Sequence, residues 1–193
     1  MFAGENPLIM LYRPGGDDLV AVASLWRARY TPRGSGTSLL FWADPGPSHP
    51  SAPVTAAIGT DNPPLARWLW ATFNSRWEPL LGHGLERAPL PPSRFVETRN
   101  KGEHRVKCSS AHATFELVWR QPQSCIWTVT YPYEYRTTAA IVPCLDASII
   151  VDGQAAMGEV RPHADVFASS AILAFSETWI RPTTGHAADD GDG

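Results

Sequence analysis

The 193-residue sequence predicts a mainly β protein, a single antiparallel β-barrel with one main α-helix near residues 63–81. Three observations lead there. Short segments along most of the chain alternate apolar and polar residues with a period of two, the signature of strands with two unlike faces. One segment alone switches to a 3.6-residue period. Clusters of Gly, Pro, Asn and Asp punctuate the strands, as turns require. About ten strands and one helix favour a sheet that closes or half-closes on itself, because closure removes unpaired edges.

The elements follow in order. "LIMLYRPGGDDLVAVASLWRARY" holds two apolar runs around Pro14-Gly15-Gly16-Asp17 and reads as a β-hairpin. "TSLLFWADP" (37–45) and "APVTAAIGT" (52–60) supply two more strands, with a Pro- and Gly-rich loop between them. "DNPPLARWLWATFNSRWEPLLGHG" then sets Leu65, Ala66, Leu69, Trp70, Phe73, Trp77, Leu80 and Leu81 on one helical face. Asp61 or Asn62 can cap this helix, Pro63 suits its first turn, and Pro79 should fray its last. On that helix Leu69, Phe73 and Trp77 are expected to bury, and Arg67, Asn74 and Glu78 to face solvent. Strands resume at 94–99, "HRVKC", "HATFELVWR", "CIWTVTYPYEYR", "AAIVP", "ASIIVDGQAAMGEV" with Asp152-Gly153 as a hairpin turn, and "SSAILAFSETWIRP". The domain therefore spans 6–182, and the acidic, small-residue segment 183–193 is read as a disordered tail. In strand count the chain resembles lipocalin-like barrels, which implies an interior either packed with side chains or open to one small ligand.

Composition limits the function classes. A formal net charge of -3 and a pI near 6.0 leave no basic footprint, so neither nucleic acid nor an anionic membrane surface is an expected partner. The three cysteines (Cys108, Cys125, Cys144) have no metal-ligand spacing, and no cofactor motif is present, so neither metal nor cofactor is expected. The N-terminus lacks the form of a secretory signal, and a cytoplasmic location with reduced thiols follows as the expectation.

The candidate site comes from two strands. In "CIWTVTYPYEYR" the odd positions include Trp127, Tyr131, Tyr133 and Tyr135. Buried tyrosine hydroxyls need partners, so such a ladder suits a partly polar cavity better than a dry core. A bend at Pro132, with the tyrosines covering a barrel rim, accounts for the same pattern. In the last strand Leu173, Phe175, Glu177 and Trp179 share a face, and a carboxylate between aromatics is how a general acid or base is prepared; an ion pair with Arg181 is the structural alternative. The expected ligand-binding residues are thus Trp127, Tyr131, Tyr133, Tyr135, Phe175 and Trp179, around a small apolar or aromatic molecule. Two further readings stand beside that one: a cofactor-free isomerase, cyclase or hydratase using Glu177 or Glu134 for proton transfer, and a barrel with a filled core acting through its surface. His104 and Cys108 share a strand face but lack a third, orienting group, a weak basis for a nucleophile.

Overall fold

A computed structural model describes residues 2–44, 56–132, 134–162 and 168–180. Its strands are β1 (Phe2–Glu5), β2 (Leu8–Tyr12), β3 (Leu19–Tyr30), β4 (Gly36–Ala43), β5 (Ala56–Thr60), β6 (Arg94–Asn100), β7 (Glu103–Ser109), β8 (Thr114–Pro122), β9 (Ile126–Thr130), β10 (Tyr135–Val151), β11 (Gln154–Ala155) and β12 (Ala171–Ile180). Helix α1 (Pro63–Thr72) lies between β5 and β6. The fold is mainly β, and every strand pairing is antiparallel.

Closure comes from four strands, since β1 and β2 each pair with both β3 and β12 and so complete a hydrogen-bonded ring. The other strands extend it along the path β5-β4-β3-β1-β12-β10-β8-β7-β6. The two ends of that path meet where Thr60 bridges Pro92 and the Ser93 N–H donates to the Thr60 carbonyl at 2.8 Å. Segment 2–5, too short to show a period, pairs within the ring, ahead of the expected domain start. The tail 183–193 and residues 52–55 of the expected fourth strand lie outside the described residues.

"AAIVP" and "ASIIV", which read as two strands, are one 17-residue strand, β10. Pro143 would normally break an interior strand because it has no N–H to donate. Here it stays in register opposite Ile172, and its carbonyl accepts from the Gln123 N–H. β8 and β9 pair with successive halves of β10, parted by residues 123–125, and Gln121 near the end of β8 has a φ of 54°. Residues 114–151 are therefore one long bent hairpin whose far half, β9 with the start of β10, runs past the barrel.

Alternation along the strands sorts the apolar residues into two layers. Inward-facing Ile9, Leu25, Leu39, Phe41, Val106, Phe115, Leu117, Trp119 and Ile149 fill the barrel, with Phe41 and Phe115 in tilted contact at 5.1 Å. On the outer face of β2–β5, Met10, Val22, Trp26, Leu40, Trp42 and Ile58 bury against Leu65, Ala66 and Leu69 of α1. The helix thus covers a wall, and the interior is packed with the chain's own side chains.

Of the two expected caps it is Asn62 that caps α1, its side-chain oxygen accepting from the Leu65 N–H at 3.2 Å, with prolines in the first turn. The helix stops at Thr72, short of residue 81. Asn74 and Ser75 are poor helix formers, and Pro79 denies both a donor and the helical conformation to the residue before it. The chain continues as 3-10 turns over Asn74–Arg76, Glu78–Leu80 and Leu85–Arg87. The Trp42 indole N–H donates to the Pro79 carbonyl at 2.6 Å and ties this segment to the wall. Leu69 is buried, Phe73 and Trp77 are half-buried, and Arg67 and Glu78 are exposed. Asn74, expected in solvent, is only 2% exposed, because the switch from α to 3-10 geometry rotates it onto the sheet.

Candidate functional site

Three concave regions lie where these elements meet. One of about 480 Å³ is strongly charged, with Arg27, Asp61, Arg94 and Glu97 in its lining. Another, about 460 Å³, is a groove on the outer face of the barrel. Its floor is the outward set of β2, β10 and β12: Leu8 and Met10, Thr137, Ala139 and Ile141, then Ile172, Ala174, Ser176 and Thr178. One wall is the segment after α1, with Phe73, Asn74, Trp77 and Pro79; the other is β9, with Thr128 and Thr130. The hairpin turn comes back to the first wall, where Tyr135 packs on Phe73 at 5.2 Å and Glu134 pairs with Arg76 at 3.1 Å. Small residues on the floor leave the space, and hydroxyls alternate with methyl groups across it. No side chain lining it among the described residues carries a charge.

The groove also gathers unmet polar atoms. Asn6 Oδ1, Trp26 Nε1 and Asn74 Nδ2 are buried without a hydrogen-bond partner among the described residues, and all three residues line this groove.

The third region is a cavity of about 340 Å³ at one mouth of the barrel, lined by Trp119, Val142, Leu173 and Phe175 together with Glu5, Arg99, Glu103 and His104. Four charges form a closed ring between this cavity, which Glu5 and Arg99 line, and the charged region, which Arg27 and Glu97 line. Arg27 Nη1 lies 2.6 Å from Glu5 and 2.7 Å from Glu97, while Arg99 reaches both carboxylates. Burial disfavours the Glu97 charge, yet hydrogen bonds and attraction from Arg99 and Arg27 outweigh it and hold the carboxyl below its ordinary pKa. His104, stacked on Trp119 at 5.3 Å, sits with Nε2 at 2.6 Å from Glu97 Oε1 but without the alignment of a full hydrogen bond. Its pKa is lowered, chiefly by burial, with Arg99 and Arg27 opposing the pull of Glu97. Cys108 is not an activated nucleophile: burial pushes its thiol up to about 11 despite a hydrogen bond with Ser93.

The residues expected at a site from sequence are distributed over two faces of one sheet. Register places Trp127, Ala140, Phe175 and Glu5 in one cross-strand row, and Val129, Thr138, Glu177 and Ala3 in the next. Trp179 stands opposite Arg136 in the following one. These rows belong to the inward face; Ala3 and Glu5 at the β1 end are covered, but the large side chains of β9 and β12 stand exposed where the sheet runs past the mouth. Trp127 is 75% exposed, Trp179 48% and Phe175 41%, and Glu177 is exposed too. Phe175 reaches the mouth cavity. Tyr131 is exposed beyond the end of β9. Tyr135 points the other way, onto the groove wall, and burial followed by the nearby Glu134 raises its pKa. Glu134 is solvent-exposed, and a hydrogen bond from its own backbone amide, with help from Tyr135 and Arg76, holds its pKa below the ordinary value. Tyr133 lies outside the described residues.

The groove residues Trp26, Asn74, Ser176 and Thr178 were not singled out from sequence. The alternation did carry a signal: small and hydroxyl residues occupy the outward positions of β9, β10 and β12 where a solvated face would carry charges. Among the described residues, no group of three or more His, Cys, Asp or Glu side chains is placed to hold a metal ion, and no helix is long and apolar enough to cross a membrane. Comparison of the chain with protein-family models, curated proteins and solved structures finds no match.

Proposed function

We propose that the protein binds a small, uncharged, mainly apolar molecule in the groove between the outer barrel face and the segment after α1. The observation that carries this reading is a groove of about 460 Å³ walled by Phe73 and Trp77, with no charged side chain among the described residues of its lining. That volume lies in the range typical of small-molecule sites, which are mostly apolar with a few placed polar groups. The barrel interior is filled by its own core, so the outer groove replaces the interior as the binding place.

Trp26 and Trp77 line the groove and report on it. Titration with a panel of neutral aromatic and terpenoid compounds should change tryptophan fluorescence and raise the melting temperature in proportion to ligand excess over Kd. Ala174→Phe, which fills the floor from β12, should abolish both responses. If no compound shifts the melting temperature, or if Ala174→Phe binds as well as the unmodified protein, the groove is not the site.

A further inference from the structure

Five buried side-chain N or O atoms have no hydrogen-bond partner among the described residues, and three of them belong to residues of the groove. Trp26 is 8% exposed and Asn74 2%. An indole N–H can only donate, and a side-chain amide nitrogen likewise. A buried donor left without an acceptor is costly, so native structures keep few of them, and two on the lining of one groove need a reason. Phe73 relates the two positions. The Trp26 ring lies parallel to Phe73 at 5.4 Å and edge-on to Phe2 at 5.2 Å, and Asn74 is the residue after Phe73.

We infer that the groove selects ligands bearing an uncharged carbonyl oxygen, which accepts from Trp26 Nε1–H and Asn74 Nδ2–H while the apolar body lies along Leu8, Ile141 and Ile172. This rests on the groove being the ligand site. A carbonyl oxygen has two lone pairs and can take both donors at once. A carboxylate offers the same acceptors, but it would be buried in a lining whose described residues hold no cation, which is strongly unfavourable. A hydrocarbon would leave both donors unmet. Both polar atoms are closed to solvent; reaching them takes a local shift of the wall, which the two new hydrogen bonds offset.

Three probes of like size separate the possibilities: heptanophenone, heptylbenzene and heptylbenzoate, titrated calorimetrically against the full chain. The expected order is ketone tighter than hydrocarbon by about tenfold or more, from two net hydrogen bonds, with the carboxylate weakest. Trp26→Phe and Asn74→Leu should each shrink the ratio of ketone to heptylbenzene affinity several-fold, whatever each does to the two affinities together. Equal affinity for ketone and hydrocarbon in the unmodified protein overturns the carbonyl inference and leaves the groove reading in place. Binding by none of the three, or binding that survives Ala174→Phe, overturns both. The comparison within the unmodified protein stands even where a variant does not fold.

Discussion

His104 illustrates how one buried side chain sets a pH dependence. Its folded-state pKa lies below its ordinary value of 6.5, mainly because burial disfavours the imidazolium. Below about pH 6.5 the unfolded chain takes up a proton that the folded chain resists, so the stability from a neutral His104 is complete above that pH and is lost as pH falls. Glu97, lowered from 4.5, adds a second loss in the same direction at lower pH. Urea melts should show stability declining on acidification from about pH 7, and His104→Gln should flatten the upper part of that decline while sparing the lower. An unchanged slope would mean another group titrates there. Gly4 gives a steric counterpart. A Cβ at this position would lie 2.2 Å from the Arg27 carbonyl oxygen and 3.0 Å from the Ala28 Cα, both backbone atoms, so β1 would have to move off β3. Gly4→Ala should lower stability by about 1–3 kcal/mol or more. Gly16→Ala, whose nearest neighbour is 4.0 Å away, should be close to neutral in the same melts.

Among the elements, the segment after α1 has the largest consequence. Had the helix run on to residue 81, Asn74 would face solvent and the groove would lack its polar wall. Termination at Thr72 turns Phe73 into the hub of four rings: Trp26 at 5.4 Å, Trp68 at 5.7 Å, Phe2 at 6.1 Å and Tyr135 at 5.2 Å. Phe73 is only half-buried, so Phe73→Ala should cost about 2 kcal/mol, below the 3–5 kcal/mol of a fully enclosed phenylalanine. It should also weaken groove ligands. A loss above about 4 kcal/mol in denaturant melts would show that the ring cluster is tighter than its exposure suggests.

For the molecule as a whole, β10 pairs with β12 and β9 through one half and with β8 through the other. Neither wall of the barrel can therefore lose its strands without disturbing the other. The charge ring of Glu5, Arg27, Glu97 and Arg99 ties β1 and β3 to β6 across the mouth, and one apolar core fills the space between. Unfolding should consequently be cooperative, with tryptophan fluorescence and far-UV circular dichroism tracing coincident denaturant transitions. Separated midpoints would indicate that the long hairpin, 114–151, comes away on its own.

Local patterns in the chain determined most of the strands, though not β1 or the continuity of β10, together with the turn at Pro14–Asp17, the Asp152-Gly153 hairpin and a cap at Asp61 or Asn62, because each depends on neighbours within a few residues. Alternation also placed Phe175, Glu177 and Trp179 on one face, and Trp127 and Tyr131 on one side of their strand. It could not say that β10 would place Trp127 and Phe175 in the same row, nor that this row would lie beyond the mouth instead of inside it. A period of two defines two faces without saying which is enclosed. That choice belongs to pairing between distant segments, as Arg27 meeting Glu97 and Arg99 meeting Glu5 across 70 and 94 residues show. The burial of Asn74 was decided the same way, by a helix cut short against a wall whose strands come from both ends of the chain.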